Sequence, residues 1–276
     1  MFSETTQPPA TANVPPAATK PEVLLNQAIA ALAQQDYEQA SEQLTQALAP
    51  EMLSKADATF LETVITTLEG YDDPQILFVK GRAHWQRYVQ LDADPASRIG
   101  PANREALDEA RDAAISAWDT LRKTRPQDIE VQVAIGFAYY ADSQDNEALK
   151  AWEEAREIEI KQRSGRADPT ALRNPVFLNA YAGLILLSLD SRIDNLDPGG
   201  DEIQRAFARE ELQKLQSLDE HRWLVADGPD AKVRTNDNPY VWLWTAAAEA
   251  EWSRIYADLS GEPETQSTGA NPAPEN

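Results

Sequence analysis

Few residues of this chain belong to the types that perform covalent or metal chemistry. There is no cysteine, and histidine occurs only at His84 and His221. Disulfides, thiolate nucleophiles and multi-histidine metal sites within one chain are therefore excluded. Phosphate-binding loops, the HExxH zinc motif and the GxSxG nucleophile motif are also absent from the sequence. We predict no catalytic residues and no cofactor, and we expect a protein that is not an enzyme.

One acidic segment has the composition of a calcium site without its spacing. Asp190, Asp194, Asp197 and Asp201 surround the pair Gly199-Gly200. In the calcium-binding loop of about twelve residues, a glycine and a final glutamate occupy fixed positions, and neither is in place here. We interpret the segment as a solvated acidic loop with turn-forming residues, and we expect no metal.

The net charge limits the partners that this chain can have. Its 276 residues include 46 acidic and 25 basic side chains, which gives a net charge of −21. Binding to nucleic acid needs clustered Lys and Arg, so we expect no nucleic-acid partner. An anionic membrane surface is disfavoured for the same reason. A well-solvated acidic surface or a basic protein partner fits this charge better.

The sequence shows no segment for membrane insertion or secretion. No apolar run reaches the roughly 20 residues that span a bilayer, and the longest, residues 180–189, is typical of a buried helix. The N-terminus lacks the charged and then apolar segments of a signal peptide. We expect a cytoplasmic protein; a leader removed before residue 1 would not show in this sequence.

Helices must position any binding surface of this chain. Apolar residues recur at helical spacing, and no segment shows the alternation of a strand, so we predict an all-α fold. Residues 1–20, rich in Pro, Thr and Ala, and residues 261–276 are predicted to be disordered tails of a helical domain at 21–260. Four helices are predicted to begin with proline, at Pro21, Pro74, Pro175 and Pro239.

The segment from Val131 to Ala155 carries the most specific pattern. A first helix carries Gly136 and Tyr139, a polar turn follows, and a second helix carries Ala148 and Trp152. The small residues allow the two helices to approach, and the aromatic side chains fill the space beside them. This spacing resembles the tetratricopeptide repeat (TPR), a helix–turn–helix unit of about 34 residues.

Other segments resemble the repeat less closely. Residues 22–50 form a pair with Ala28 and Ala40 as the small residues, and residues 52–68 are predicted as a further helix. Gly81 and Ala114 are much further apart in the sequence than Gly136 and Ala148. We therefore predict an insertion between the helices of that pair, with a loop at residues 91–102.

Two more predicted elements complete the chain. A degenerate fourth pair carries Gly183 on its first helix and spans residues 202–218 with its second, and a final helix extends from Pro239 to Leu259. The resemblance as a whole implies a right-handed, TPR-like α-solenoid of about four helix–turn–helix pairs, with long inserted loops and a C-terminal capping helix.

In TPR proteins the first helices of successive pairs line a concave groove that usually holds the ligand. The resemblance therefore implies eight groove residues: Phe78, Arg82, Trp85, Val133, Phe137, Tyr140, Tyr181 and Leu184. The Lys and Asn residues with which chaperone-binding members clamp a C-terminal carboxylate are missing at these places. The face is apolar and aromatic, which suits an amphipathic helix or an extended apolar segment. Alternatively, the Trp-rich last helix or the long loops fill the groove, and these residues are core.

These observations support three hypotheses about function. The first is a non-enzymatic adaptor or assembly factor that binds a segment of one protein, of unknown identity, in the groove. The second is a structural subunit of a larger complex in which the groove is permanently covered. The third is a regulator or enzyme with a small-molecule pocket between repeats, which the scarcity of His and Cys disfavours. The sequence does not determine the oligomeric state.

Overall fold

The regular structure of this protein is helical. The computed structural model describes residues 20–94, 99–164, 175–190, 198–219, 222–224 and 238–260. There is no strand within these residues, which confirms the predicted all-α class. The predicted tails lie almost wholly outside the described residues, as do His221, Asp194 and Asp197.

Eleven α-helices are numbered along the described part of the chain. They are α1 (Pro21–Ala33), α2 (Tyr37–Ala47), α3 (Pro50–Leu53), α4 (Phe60–Leu68), α5 (Pro74–Ala93), α6 (Pro101–Thr124), α7 (Ile129–Ala141), α8 (Asp145–Ser164), α9 (Leu178–Ser188), α10 (Pro198–Leu218) and α11 (Ala246–Ser260). Two 3-10 turns, Pro175–Phe177 and Val241–Leu243, precede α9 and α11. None of these described helices has both the length and the hydropathy needed to cross a bilayer.

Local side-chain chemistry determines where several helices begin. Asp36, Asp73 and Asp128 each accept a hydrogen bond from a backbone N–H in the first turn of α2, α5 and α7. These bonds satisfy donors that the first turn of a helix leaves unpaired. Pro21 and Pro74 begin α1 and α5, as predicted, because proline has no N–H to satisfy at that position.

Helices that follow one another pack as pairs, and the pairs stack along the chain. The most extensive contacts are those of α1 with α2, α5 with α6, α7 with α8, and α9 with α10. The second helix of one pair packs against the first helix of the next: α2 on α5, α6 on α7, and α8 on α9. Outside this series, α4 packs on α1 and α5, and α11 packs on α5, α9 and α10.

The same tryptophan–glycine contact recurs in two of these pairs. Trp118 of α6 lies on Gly81 of α5, and Trp152 of α8 lies on Gly136 of α7. A Cβ on either glycine would lie 2.7 Å from Cε2 of the indole, well inside the ordinary carbon–carbon contact of about 3.5–4 Å. Each indole N–H donates to the carbonyl three residues before the glycine, at 3.2 and 3.3 Å.

The Trp152 ring joins three helices. A Cβ on Gly183 of α9 would lie 2.7 Å from Cζ2 of this ring, so glycines of α7 and α9 both border it. Trp152 is fully buried. One buried side chain thus contacts the first helix of the central pair and the first helix of the next pair, and only glycine neighbours can accommodate it there.

The predicted insertion in the α5–α6 pair lengthens the helices more than the loop. Helices α5 and α6 contain 20 and 24 residues, whereas α7 and α8 contain 13 and 20. The extra residues of α5 follow its glycine, and those of α6 precede its tryptophan. The loop predicted at residues 91–102 therefore begins too early and ends too late, because α5 extends to Ala93 and α6 begins at Pro101.

The helix predicted at residues 52–68 is wrong in its first half. α3 ends at Leu53, and α4 begins only at Phe60. Between them, the Asp57 carboxylate accepts hydrogen bonds from the N–H and the hydroxyl of Thr59, at 2.9 and 2.7 Å. Such local side-chain bonding favours a turn over a continuous helix.

The final helix is also shorter than predicted, because α11 begins at Ala246 and not at Pro239. Trp242 and Trp244 lie in and just after the 3-10 turn, and both are buried. In an α-helix, residues two apart point about 200° apart, so a continuous helix would bury one of these rings and expose the other. The Thr245 hydroxyl then accepts a hydrogen bond from the Ala248 N–H, at 3.1 Å, and starts α11.

The buried side chains form two clusters that meet on α5. One cluster contains α1, α2, α4 and, from α5, Ile76, Val79 and Ala83. The other contains the helices from α6 onwards and, from α5, residues such as Trp85. The half-buried Phe78 packs against both clusters. α5 is therefore the element through which the first pair is joined to the rest of the domain.

Replacing Gly136 by alanine should destabilise the protein. In a helix interior without this contact, Gly→Ala would stabilise by roughly 0.5–1 kcal/mol. Here the new methyl group would overlap the Trp152 ring, so we expect a loss of about 1–3 kcal/mol in the free energy of unfolding. Urea denaturation followed by circular dichroism measures the change.

The double variant Gly136→Ala, Trp152→Leu provides the control for this prediction. On the Trp152→Leu background the added methyl group has room, so the same Gly→Ala change should cost less. An equal loss in both backgrounds would show that the ring is not the cause.

Candidate functional site

The eight predicted groove residues lie on the first helices of the pairs, but they do not form an open surface. Phe78 is half-buried. The other seven, Arg82, Trp85, Val133, Phe137, Tyr140, Tyr181 and Leu184, each expose at most 7% of their surface. In this structure the face is covered by other parts of the same chain.

The segment that follows Pro239 provides most of this cover. The Trp242 ring lies against those of Phe78 and Trp118, with both centroid separations 6.4 Å. The Trp244 ring lies 5.0 Å from that of Phe137. The sequence left open whether these residues line an open groove or are buried by the chain itself. In this structure they are buried, and the Trp-rich C-terminal segment covers them.

Hydrogen bonds hold this C-terminal segment in register with the helices below it. The Trp85 indole N–H of α5 donates to the Leu243 carbonyl at 3.3 Å. The Trp244 indole N–H donates to the Asn179 side-chain oxygen of α9 at 2.9 Å. Both donors are buried, so leaving either without its partner would cost free energy as well as packing.

Arg82 is the charged residue within this covered face. Its guanidinium lies 4.6 Å from the centroid of the Trp242 ring, and Nη2 donates to the Leu48 carbonyl at 3.0 Å. The amide of Gln86, one turn further along α5, donates to the same carbonyl at 2.8 Å. Burial lowers the pKa of Arg82 to about 10, and the group stays charged at neutral pH. One buried cation thus connects the end of α2, α5 and the C-terminal segment.

Two acidic groups near Arg82, Glu130 and Tyr240, have their pKa values raised by burial. Burial raises the pKa of Glu130, against the opposing effect of Arg82. Burial also raises the pKa of Tyr240 to about 12, with Glu130 as the second cause. Glu130 and the neutral phenol of Tyr240 therefore both interact electrostatically with the Arg82 guanidinium.

One part of the face remains open, as a cavity of about 280 Å³ that we call the α5 cavity. Its floor is the C-terminal half of α5, and its walls are the α3–α4 segment and the 3-10 turn at Val241–Leu243. The lining is mainly apolar: Pro50, Leu53, Ala56, Asp57, Ala58, Phe60, Leu61, Gln86, Val89, Gln90, Ala93, Val241 and Trp242. The cavity is therefore a concave apolar surface with few polar groups.

Gln86, Val89 and Ala93 were not among the predicted groove residues. They continue the helical spacing of Arg82 along α5, so the periodicity of the sequence contained the signal. The loop predicted at residues 91–102 includes Ala93, whereas α5 extends to that residue; Gln86 and Val89 lie before this loop, and the predicted groove did not include them.

A second cavity, of about 260 Å³, lies beside Tyr140 and the start of α11. It is lined by Tyr88, Asp92, Tyr140, Ala141, Asp190, Thr245, Ala247 and Glu251. Its three carboxylates come from α5, from the residues just after α9 and from α11. Within the described residues, no group of three or more His, Asp and Glu side chains has a geometry that could hold a metal ion.

His84 lies on α5 outside both cavities. Burial lowers its pKa, and the charge of Lys80 lowers it further. The histidine is consequently neutral at physiological pH.

No protein-family model matches this chain, and a search of curated proteins finds no relative. The geometry of the face and its cavities is therefore the basis for assigning a function.

Removing the Trp242 ring should destabilise the protein strongly. The Trp242→Ala variant loses the packing on Phe78 and Trp118 and exposes Arg82, so we expect a loss of about 3–5 kcal/mol in the free energy of unfolding. The matched control is Trp223→Ala, since the Trp223 ring is only half-buried. Chemical denaturation of both variants tests this, and an equal loss in the two would contradict the role given to Trp242.

Tyr240 should make the protein less stable at high pH. Between pH 10 and 12 the unfolded chain releases the phenol proton while the folded protein retains it, so stability falls as pH rises through this window. Tyr240→Phe has no such proton. We expect its free energy of unfolding, relative to wild type, to improve by about 1–2 kcal/mol between pH 9 and pH 11.5. Urea denaturation at both pH values measures this, and a difference that does not vary with pH would refute it.

Proposed function

We propose that this protein is a TPR-like helical-repeat adaptor without enzymatic activity, which binds a segment of a partner protein. The observation that carries the proposal is the repeated tryptophan–glycine packing. In both α5–α6 and α7–α8, the ring lies on a glycine and its N–H donates to the carbonyl three residues earlier. Such a repeated register supports a chain built from equivalent helix pairs, and such arrays act by presenting extended binding surfaces.

The α5 cavity is the part of the groove face that we assign to binding. The aromatic residues around Phe137 are occupied by the chain's own Trp244, and Arg82 is covered by Trp242. The cavity, by contrast, is open between α4 and the 3-10 turn. A partner segment can reach its apolar lining without displacing any part of the described chain.

The covered face favours an adaptor over an obligate structural subunit. A subunit that relied on a second protein to bury Trp85, Phe137 and Leu184 would expose these residues on its own. Here all three are buried within one chain, so no second protein is needed to cover them. From the net charge of −21 we infer that the partner segment is basic. Opposite charges accelerate the association of two proteins, and like charges disfavour the binding of other acidic segments.

Selection from a random peptide library tests this function. Peptides selected on wild-type protein should lose binding to the Ala93→Arg variant, because Ala93 is exposed and lines the α5 cavity. We expect at least a tenfold loss in affinity, measured by fluorescence anisotropy, since the new side chain blocks the cavity and repels basic residues.

The matched control is Ile160→Arg, which adds the same charge at an exposed apolar residue of α8. Binding to this variant should equal binding to wild type. The proposal is overturned if no peptide is selected, or if Ile160→Arg abolishes binding while Ala93→Arg does not.

A further inference from the structure

The size of the α5 cavity restricts what it can hold. Its volume is about 280 Å³, at the lower limit of the roughly 300–1,000 Å³ of ligand pockets. That space admits one large side chain or a molecule of similar size, and it is too small for a nucleotide or an extended cofactor. Its apolar lining, which includes Phe60, Val89 and the Trp242 ring, favours an aromatic ring.

Gln86 adds a polar requirement. Its Nε2 donates to the Leu48 carbonyl at 2.8 Å, and because a carbonyl accepts only from donors, this bond fixes which end of the amide faces Leu48. The other end, Oε1, is buried and has no hydrogen-bond partner among the described residues. The side chain exposes only 6% of its surface and lines the cavity. The oxygen is closed to water in this structure, so an N–H or O–H brought by an occupant reaches it after a small shift of the Gln86 side chain toward the cavity.

Tryptophan and tyrosine are the side chains that combine a large ring with one such donor. The seven Trp and eight Tyr of this chain all lie in its described residues. The remaining segments therefore contain neither, and they cannot supply the ring. Tyr37, Tyr71, Trp223 and Tyr240 are half-buried and the chain's other Trp and Tyr residues are buried, so a second copy has no fully exposed ring to insert.

The rim of the cavity carries a negative charge. Hydrogen bonds from the hydroxyl and the amide of Thr59 lower the pKa of Asp57, which lines the opening. The carboxylate is therefore ionised at neutral pH. A Lys or Arg next to the inserted aromatic residue would lie against this charge.

We propose that the α5 cavity binds a Trp or Tyr side chain of a basic segment of a partner protein, with the ring against Trp242 and its N–H or O–H donated to Gln86. This inference rests on the proposed function and identifies the anchor residue of the partner. A free aromatic metabolite with the same donor is the competing source of this chemistry.

Indole and 1-methylindole test the cavity separately from the protein-binding function. The two probes have nearly the same ring, but only indole has an N–H. We expect indole to bind wild-type protein about three to ten times more tightly than 1-methylindole, in a titration followed by protein-observed NMR. This preference should disappear in Gln86→Leu and persist in Gln90→Leu, the same substitution one turn further along α5.

The comparison within wild-type protein does not depend on any variant folding. No binding of indole, equal binding of the two probes, or an unchanged preference in a folded Gln86→Leu protein would each overturn the proposed site.

Peptide selection then distinguishes the two sources of the ring. If the site is an anchor pocket, selected peptides should be enriched in Trp or Tyr beside Lys or Arg, and indole should compete with them. Peptides that bind without competition from indole would uphold the adaptor function and overturn the anchor. Binding of indole without any selected peptide would overturn the protein source and assign the cavity to a free aromatic molecule.

Discussion

The architecture depends on the close contact between an indole ring and a helix that has no side chain at that point. Trp152 can lie between α7 and α9 only because Gly136 and Gly183 leave room for it. Its N–H bonds to the Val133 carbonyl, which in a helix already accepts from its own backbone, so the contact has a fixed register as well as a fixed distance. The corresponding ring of Trp118 makes the same bond to Phe78. Helices that meet through such contacts cannot slide along one another without losing both packing and hydrogen bond.

A second constraint comes from the burial of a charge. Removing a guanidinium from water costs several kcal/mol unless its donors find acceptors. Arg82 recovers part of this cost through the Leu48 carbonyl and the Trp242 ring, which belong to segments that are far apart in the sequence. The charge therefore makes the first helix pair and the C-terminal segment interdependent.

Local spacing was sufficient to predict most of the helices and the central pair. Gly136, Ala148 and Trp152 mark a contact within one helix–turn–helix unit, so their spacing is visible in the local sequence. The sequence also indicated that Gly81 pairs with the second helix of its own pair. It did not indicate that most of the inserted residues between them extend α5 and α6. The burial of the predicted groove residues could not be predicted from local spacing. Phe137 lies on the predicted face, but its burial depends on Trp244, which comes several helices later, and no local periodicity reports such a contact.

Two predictions are wrong although the sequence contains a pattern that contradicts each of them. Trp242 and Trp244 alternate, which is unfavourable for a one-sided helix, yet the apolar character of residues 239–259 suggested a continuous one. The helical spacing of Arg82, Gln86, Val89 and Ala93 indicates that α5 continues past residue 91. The proline and glycine residues that follow Ala93 instead suggested that a loop begins at residue 91. The binding role of the groove residues stays a prediction.

The bond between Trp85 and Leu243 spans 158 residues, and this separation has a consequence for biosynthesis. A ribosome delivers α5 and α7 well before it delivers the turn that covers them. Throughout that interval, Trp85 and Phe137 have no C-terminal cover, although the helices that bear them already have their pairing partners. The nascent protein therefore passes through a state with a hydrophobic groove open to water, which is the kind of surface that chaperones bind and that associates between chains. This state ends once the segment that follows Pro239 has been synthesised and covers Trp85 and Phe137.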